Sequence, residues 1–439
     1  MLKLYNTLSK KIEDVPEKDH INLYTCGPTV YNYAHIGNLR SYIMADLLYR
    51  TLKYDGYKPK WVMNITDIDD KTIKGTIAKY GGQATLENLR EFTKFYLDEF
   101  LKDLGEVNVL KDEITFIRVT DVMSQIQQFI VDLINKGYAY KAEDGSTYFS
   151  IEKYQKDFGD YGELVGHKFL EGKKVGARVA VDEYEKENLS DFALWKAWDK
   201  ITDGQIFWDH PVLGKGRPGW HIECSVINQI GFKGEPTDIH TGGVDLIFPH
   251  HTNEIAQSQA LLGKGNFVKH WFHSEHLLVD GKKMSKSAGN FYKLKDLKHP
   301  LASWALRYTF LQSHYRSQQN FTMESLDASG NRLAGLINYM SYAGGGNVID
   351  KKSLNNDLNV PKAISGSDEK FVFTELLGAK LQSVEELPEE IKNLSSQRQK
   401  AREQKDFKKS DELRKQIESL GYEVMDMSEG QKVKKKLQI

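Results

Sequence analysis

Short, largely apolar runs that end at turn residues alternate with stretches of helical spacing through the first third of the chain. The run 21–24 stops at Thr25-Cys26-Gly27-Pro28, where Gly and Pro end regular structure. From Ile36 the apolar positions Leu39, Ile43, Leu47, Leu48 and Leu52 recur every three or four residues, and the pattern closes before Asp55-Gly56. Residues 60–65 read as a second strand. Strand, helix and strand make a βαβ unit, whose right-handed crossover leaves the two strands parallel. That predicts an α/β fold of Rossmann type, a doubly wound parallel sheet with ligands beyond the carboxyl ends of its strands. Cys26 follows the first strand and Thr66-Asp67 the second, so both should face that crevice.

Further along, 237–240 reads as a strand ending in Thr241-Gly242-Gly243, and 276–279 as another ending at Asp280-Gly281, their loops opening onto the same crevice. Mixed segments between the two halves read as an insertion. The expected division is a first Rossmann half over 1–115, a connective insertion over 116–220, a second half over 221–317, a shortened helical region over 318–385 and a small basic domain over 386–439. Within the fourth part, 326–343 is helical in pattern, and the Gly-, Asn-, Ser- and Lys-rich stretch from Gly344 to about Lys370 reads as loop or linker. A charged helical pair over 388–403 and 407–420 ends at Gly421, as a helix carboxyl end should.

Composition adds little until its distribution is considered. The chain has 439 residues and a net charge of −1, with 40% apolar and 28% charged residues, which excludes global disorder. No apolar run is long enough to span a membrane, and the first residues lack the apolar stretch of a secretion signal, so a cytoplasmic protein is expected. Residues 392–439 carry thirteen Lys and Arg against eight Asp and Glu, a net of +5 that leaves −6 for the rest. A basic tail on a slightly acidic body suits a polyphosphate partner met at one end, with Arg398, Lys400, Arg402, Lys405, Lys408 and Lys409 as candidate contacts.

Three constellations carry candidate chemistry. His35-Ile36-Gly37-Asn38 stands where a loop after a strand enters a helix; the amino end gathers N–H groups, and Gly37 lets phosphate approach the backbone. Lys283-Met284-Ser285-Lys286-Ser287 places two lysines and two hydroxyls on one loop, a clamp for a triphosphate and for charge on departing pyrophosphate. In Phe248-Pro249-His250-His251-Thr252-Asn253-Glu254, Pro249 reads as the first turn of a helix, and His250 and Glu254 share one face at i, i+4. The chain's two cysteines, Cys26 and Cys224, join them in a donor set of two thiolates, an imidazole and a carboxylate that zinc accepts. His251, at i, i+3 from Glu254, is an alternative to His250. Asp67, Asp69 and Asp70 read as strand-end residues that cap a helix and bind a substrate amine rather than a magnesium site.

The first two constellations resemble the His-Ile-Gly-His and Lys-Met-Ser-Lys-Ser signatures of class I aminoacyl-tRNA synthetases. The second signature is intact, whereas in the first Asn38 replaces the closing His; an amide donates to a phosphate oxygen but carries no charge. Residues 24–31, 64–71, 216–224 and 248–257 resemble the cysteinyl-tRNA synthetase family, over roughly residues 1–325. The resemblance implies that Cys26, Cys224, His250 and Glu254 bind one zinc ion, and that Thr66, Trp220 and His221 meet the amino acid. It implies that His35, Asn38, Lys283 and Lys286 are catalytic, with Gly37, Ser285 and Ser287 also on ATP, which brings magnesium. L-cysteine and tRNA(Cys) are the implied partners, and a monomer is expected. Cysteine and serine differ by one atom, and a metal that takes the thiolate separates them where hydrogen bonds would not. A rival reading is a ligase of the mycothiol-pathway type that joins cysteine to an amino sugar and needs no basic tail.

Overall fold

The computed structural model describes residues 1–166, 175–179, 189–284, 289–340, 349–367, 371–378, 387–427 and 430–435. At its centre lies a sheet of β1 (His20–Thr25), β2 (Lys58–Ile65), β3 (Ile114–Arg118), β4 (Thr237–Gly243) and β5 (Val268–Ser274). All neighbours are parallel, in the order β3-β2-β1-β4-β5. The register sets Leu23 opposite Trp61 on one side and Ile239 on the other, so β1 is central and its interior positions are buried. Chain order reverses between β1 and β4, and the loops that leave these two strands part there to open a crevice.

Helix α1 (Ile36–Tyr54) crosses from β1 to β2. Its start is fixed by reciprocal caps: His35 Nδ1 accepts from the Asn38 amide at 3.1 Å, and Asn38 Oδ1 accepts from the His35 amide at 3.2 Å. Thirteen of its nineteen residues are buried, polar Arg40, Asp46 and Thr51 among them, because α1 is covered on more than the sheet side.

The sequence pattern puts one strand in the wrong sheet and passes over β3 and β5. Residues 277–279 do form a strand, Leu277–Val279, but it leaves the main sheet to pair with Lys282–Lys283 and Gln319–Phe321. The fifth parallel strand is β5, Val-Lys-His-Trp-Phe-His-Ser, where Lys and two His interrupt the apolar run that signals a buried strand. β3 runs across the 115/116 position and pairs with β2.

Between β3 and β4 a mixed sheet orders Gly216–Pro218, Leu189–Ala197, Thr147–Phe149 and Ala139–Lys141 as antiparallel neighbours, with Val175–Val179 parallel to Leu189–Ala197. The Gly219 amide donates to the Leu194 carbonyl at 2.9 Å and launches α2 (Trp220–Gly231) back under the main sheet. α3 (Thr252–Leu262) follows β4.

The stretch read as linker after Gly344 contains two short helices, Lys351–Leu354 and Val360–Gly366. Asp350 and Asn359 accept from the amides of Ser353 and Lys362, so these polar residues cap helices instead of marking a coil. Contacts divide the chain into one unit of 1–333 with 347–378 and a second of 334–346 with 379–439. In the second, helices Glu389–Glu403 and Phe407–Ser419 pack with the hairpin Tyr422–Met427 and Gly430–Lys435 around Ile391, Ile417, Val424 and Val433. Among the described residues no helix is long and apolar enough to cross a membrane.

Candidate active site and metal centre

β1 delivers Cys26 to the switch point, and Gly27 fixes its direction. A Cβ on Gly27 would lie 1.7 Å from the Asn64 carbonyl oxygen, so the turn packs directly on the end of β2. Asn64 Oδ1 accepts from the Gly27 amide at 2.7 Å and from the Tyr24 hydroxyl at 3.2 Å. Its Nδ2 donates to Thr66 Oγ1, and the Thr66 hydroxyl donates to Glu223 at 2.9 Å.

α2 supplies Trp220, His221 and Cys224 from one end of the crevice. His250 and His251 come from the turn 247–251, where Phe248 is extended (φ −135°, ψ 131°). Pro249 follows that break directly and stands at the head of the turn that runs on into α3, whose regular helix starts at Thr252, so it opens the helix as the sequence implies. The break aims both imidazoles inward while Glu254 follows from the first turn of α3.

Cys26, Cys224, His250 and Glu254 are all buried, and one donor atom of each lies within 4.8 Å of the others. The Sγ atoms are 3.8 Å apart; Cys26 Sγ is 3.8 Å from Glu254 Oε1; His250 Nε2 is 3.3 Å from Cys224 Sγ and 3.1 Å from Glu254 Oε1. Zinc holds sulfur at about 2.3 Å and nitrogen or oxygen at about 2.0–2.2 Å in a tetrahedron, whose edges then run roughly 3.3–3.8 Å. The spacing fits such a cation. Burial pushes the Cys26 thiol and the Glu254 carboxyl well above their usual ranges and drives His221, His240 and His251 well below theirs. Acids too costly to ionise alone, beside uncharged imidazoles, form a cage that a positive ion relieves.

A second quartet of Cys26, His240, His251 and Glu254 interlocks with the first. His251 Nε2 is 3.3 Å from Cys26 Sγ and 3.9 Å from Glu254, while its Nδ1 is 2.7 Å from His273 Nε2, whose Nδ1 in turn meets Thr7 Oγ1 at 2.8 Å. His240 Nε2 lies 3.0 Å from Glu254 Oε2. His221 Nδ1 is 3.0 Å from His250 Nδ1, and Trp220 stacks on the His250 ring at 4.2 Å. His240, His273 and Thr7 were not singled out from sequence; a lone polar residue at a strand end or loop leaves no local periodicity to notice.

A cavity of about 430 Å3 connects this cluster with the start of α1. Cys26 and Trp220 line one part, and His35, Gly37, Asn38 and Lys283 another. Thr66 and His221 are buried and contact Glu223 and His250 outside that lining. The segment after the lysine-rich loop closes on α1: the Ile36 amide donates to the Tyr292 carbonyl, and Phe291 meets the His35 ring edge-on at 5.0 Å. Asn290 Nδ2 donates to the carbonyls of Val279 and Lys283 at 3.3 Å each and ties the base of that loop. Ser285, Lys286 and Ser287 lie outside the described residues.

Asp69 caps the helix Asp70–Tyr80, accepting from the Thr72 amide at 2.7 Å. Asp67 accepts from the Thr120 amide and hydroxyl, and Asp70 pairs with Lys196 and Arg217. In the second unit Lys400, Lys405, Lys408 and Lys409 are exposed, but Arg398 is buried and paired with Asp426, which Arg402 also meets. Arg398 is thus a core residue of the small unit and not a surface contact; helical spacing alone does not reveal the strand that covers it.

The sequence matches the family described as tRNA synthetases class I (C) catalytic domain over residues 12–331, and the cysteinyl-tRNA ligase anticodon binding domain over 384–433. The cysteine–tRNA ligase of Chlamydia caviae is 41% identical over 480 residues, covering 99% of this chain and 98% of that protein. That of Chlamydia trachomatis serovar A is 42% identical, covering 99% of each. In fold the chain is similar to methionyl-tRNA synthetase of Mycobacterium tuberculosis bound by methionyl-adenylate, with a TM-score of 0.57 at 14% identity over 82% of each chain. With both domain matches in their expected order and full-length relatives above 40% identity, the chain belongs to the cysteine–tRNA ligase family of class I synthetases.

Proposed function

We propose that this chain is a cytoplasmic, monomeric enzyme that activates L-cysteine with ATP and transfers it to the 3′ end of tRNA(Cys). The observation that carries the reading is one cavity that reaches Cys26 of the buried thiol, imidazole and carboxylate cluster at one part and a helix amino end with Lys283 at another. Cys26, Cys224, His250 and Glu254 would hold zinc, which when bound offers a soft partner for the substrate thiol that a serine hydroxyl cannot match. Trp220 walls the cavity beside His250. Thr66 and His221 act through Glu223 and His250 to hold the pocket in shape.

The cysteine carboxylate attacks the α-phosphorus of ATP and pyrophosphate leaves; a ribose hydroxyl of the tRNA then attacks the acyl carbon and AMP leaves. Neither step calls for a covalent link to the protein. His35, Asn38, Lys283 and Lys286 bind and stabilise phosphate charge, with Gly37 giving backbone access and Ser285 and Ser287 completing the clamp; magnesium arrives with ATP. The match of 384–433 to an anticodon-binding domain favours tRNA over an amino sugar as acceptor.

Cysteine-dependent ATP–pyrophosphate exchange, followed by aminoacylation of total tRNA, tests the reaction. Metal analysis should give about one zinc per chain, and Cys224→Ser should lose both the metal and the exchange. A metal-free protein that activates cysteine and still rejects serine would overturn this reading.

A further inference from the structure

An aromatic cluster at the rim of the cavity has no part in the chemistry above. Tyr33, in the loop before α1, meets Phe95 and Tyr96 of the helix Leu86–Glu106 edge-on at 6.2 and 5.6 Å, and Phe95 and Tyr96 meet each other at 5.1 Å. Tyr33 and Tyr96 line the cavity that holds Cys26 and His35, whereas Phe95 does not and is 48% exposed. The cluster therefore runs from the interior out to the surface. Phe95 thus carries the apolar wall of the cavity out into solvent, and apolar area that continues from a cavity to a polar rim marks a contact surface.

Positive charge accompanies the rings. Lys293 and Lys295 place their ammonium groups 5.0 and 3.4 Å from the Tyr33 ring centre, both from the segment that follows the lysine-rich loop. Flat rings with neighbouring cations are the chemistry that holds unpaired nucleic acid, bases on the rings and phosphates on the lysines. Neither cysteine nor ATP requires a surface that continues outside the cavity, while the acceptor of the second step must enter from outside as a strand.

We propose that Tyr33, Phe95 and Tyr96, with Lys293 and Lys295, form a stacking platform for the unpaired 3′ end of the tRNA on its way to the adenylate. The platform rests on the reaction proposed above. Phe95→Ala in the full chain should leave cysteine-dependent ATP–pyrophosphate exchange unchanged and raise the KM for tRNA in aminoacylation about fivefold or more, the low end of what one base stack contributes. Lys295→Ala should act in the same direction, with a flatter salt dependence of tRNA binding.

Binding of a tRNA transcript trimmed of its unpaired 3′ nucleotides supplies the second measurement. The Phe95→Ala defect should be present with the complete transcript and absent with the trimmed one. An unchanged KM, an equal defect with both transcripts, or a parallel fall in exchange, which would put ATP on the rings, overturns the platform. Absence of exchange in the unaltered chain would refute the reaction itself, while the difference between the two transcripts would still decide the platform.

Discussion

Arg307 should be among the most costly single residues to remove. It is fully buried and donates to the Leu376 carbonyl at 2.9 and 2.8 Å, to the Val107 carbonyl at 3.1 Å and to the Asn108 carbonyl at 3.2 Å. It also pairs with Asp46 of α1, itself fully buried. Arg307→Met would keep much of the volume and lose every one of these bonds. Breaking a buried pair by removing one partner costs about 3–5 kcal/mol. Here Asp46 keeps Arg50 at 2.8 Å and the Leu110 amide at 2.9 Å, which points to the low end, about 3 kcal/mol or more than a hundredfold in the folding equilibrium. Denaturant titration of parent and variant measures the difference through a shifted midpoint at constant slope. Arg307→Met and Asp46→Leu together should cost less than the two single losses summed, since the double variant removes the pair whole and leaves neither charge facing the other's vacated place. A cost below about 1 kcal/mol, or a double variant weaker than the sum of the singles, would refute the reasoning.

Three further outcomes follow from particular contacts. Asn38→Asp keeps the oxygen that accepts from the His35 amide but replaces the amide donor with negative charge, so stability should hold while ATP–pyrophosphate exchange falls at least about tenfold; an equal loss of stability would make Asn38 a cap alone. Gly27→Ala would force a Cβ onto the Asn64 carbonyl and displace the turn that carries Cys26, so bound zinc and folded yield should fall together. Burial, with Glu106 and Glu99 nearby, raises Asp103 to about 6. A raised carboxyl stays protonated in the fold down from that value, and its penalty grows as pH climbs from about 4 to 6; Asp103→Asn should therefore stabilise by about 1 kcal/mol at pH 8, discounted for partial exposure, and change little at pH 4. Parallel denaturation curves at the two pH values check this.

Local rules made β1, α1 and β2 legible. Their apolar positions recur with the right period, and Gly27, Pro28 and Gly56 punctuate them. The sheet order was not, because pairing β4 with β1 depends on contacts across more than two hundred residues. β5 was hidden by His270 and His273, which are polar in sequence and buried in the fold. Cys26, Cys224, His250 and Glu254 could be named from donor chemistry and family likeness, and the structure brings their donor atoms together. The surrounding His240, His273 and Thr7 could not, since each is meaningful only through a neighbour distant in sequence. Arg398 misled for the opposite reason: a basic residue on a charged helix looks solvated until Asp426 is seen beside it.

The order in which the ribosome makes the four donors has its own consequence. Cys26 emerges early, Cys224 only after the insertion, and His250 and Glu254 later still. A nascent chain halted anywhere in the insertion exposes one thiol and no cage, and metal loading has to wait until more than half of the polypeptide has been translated.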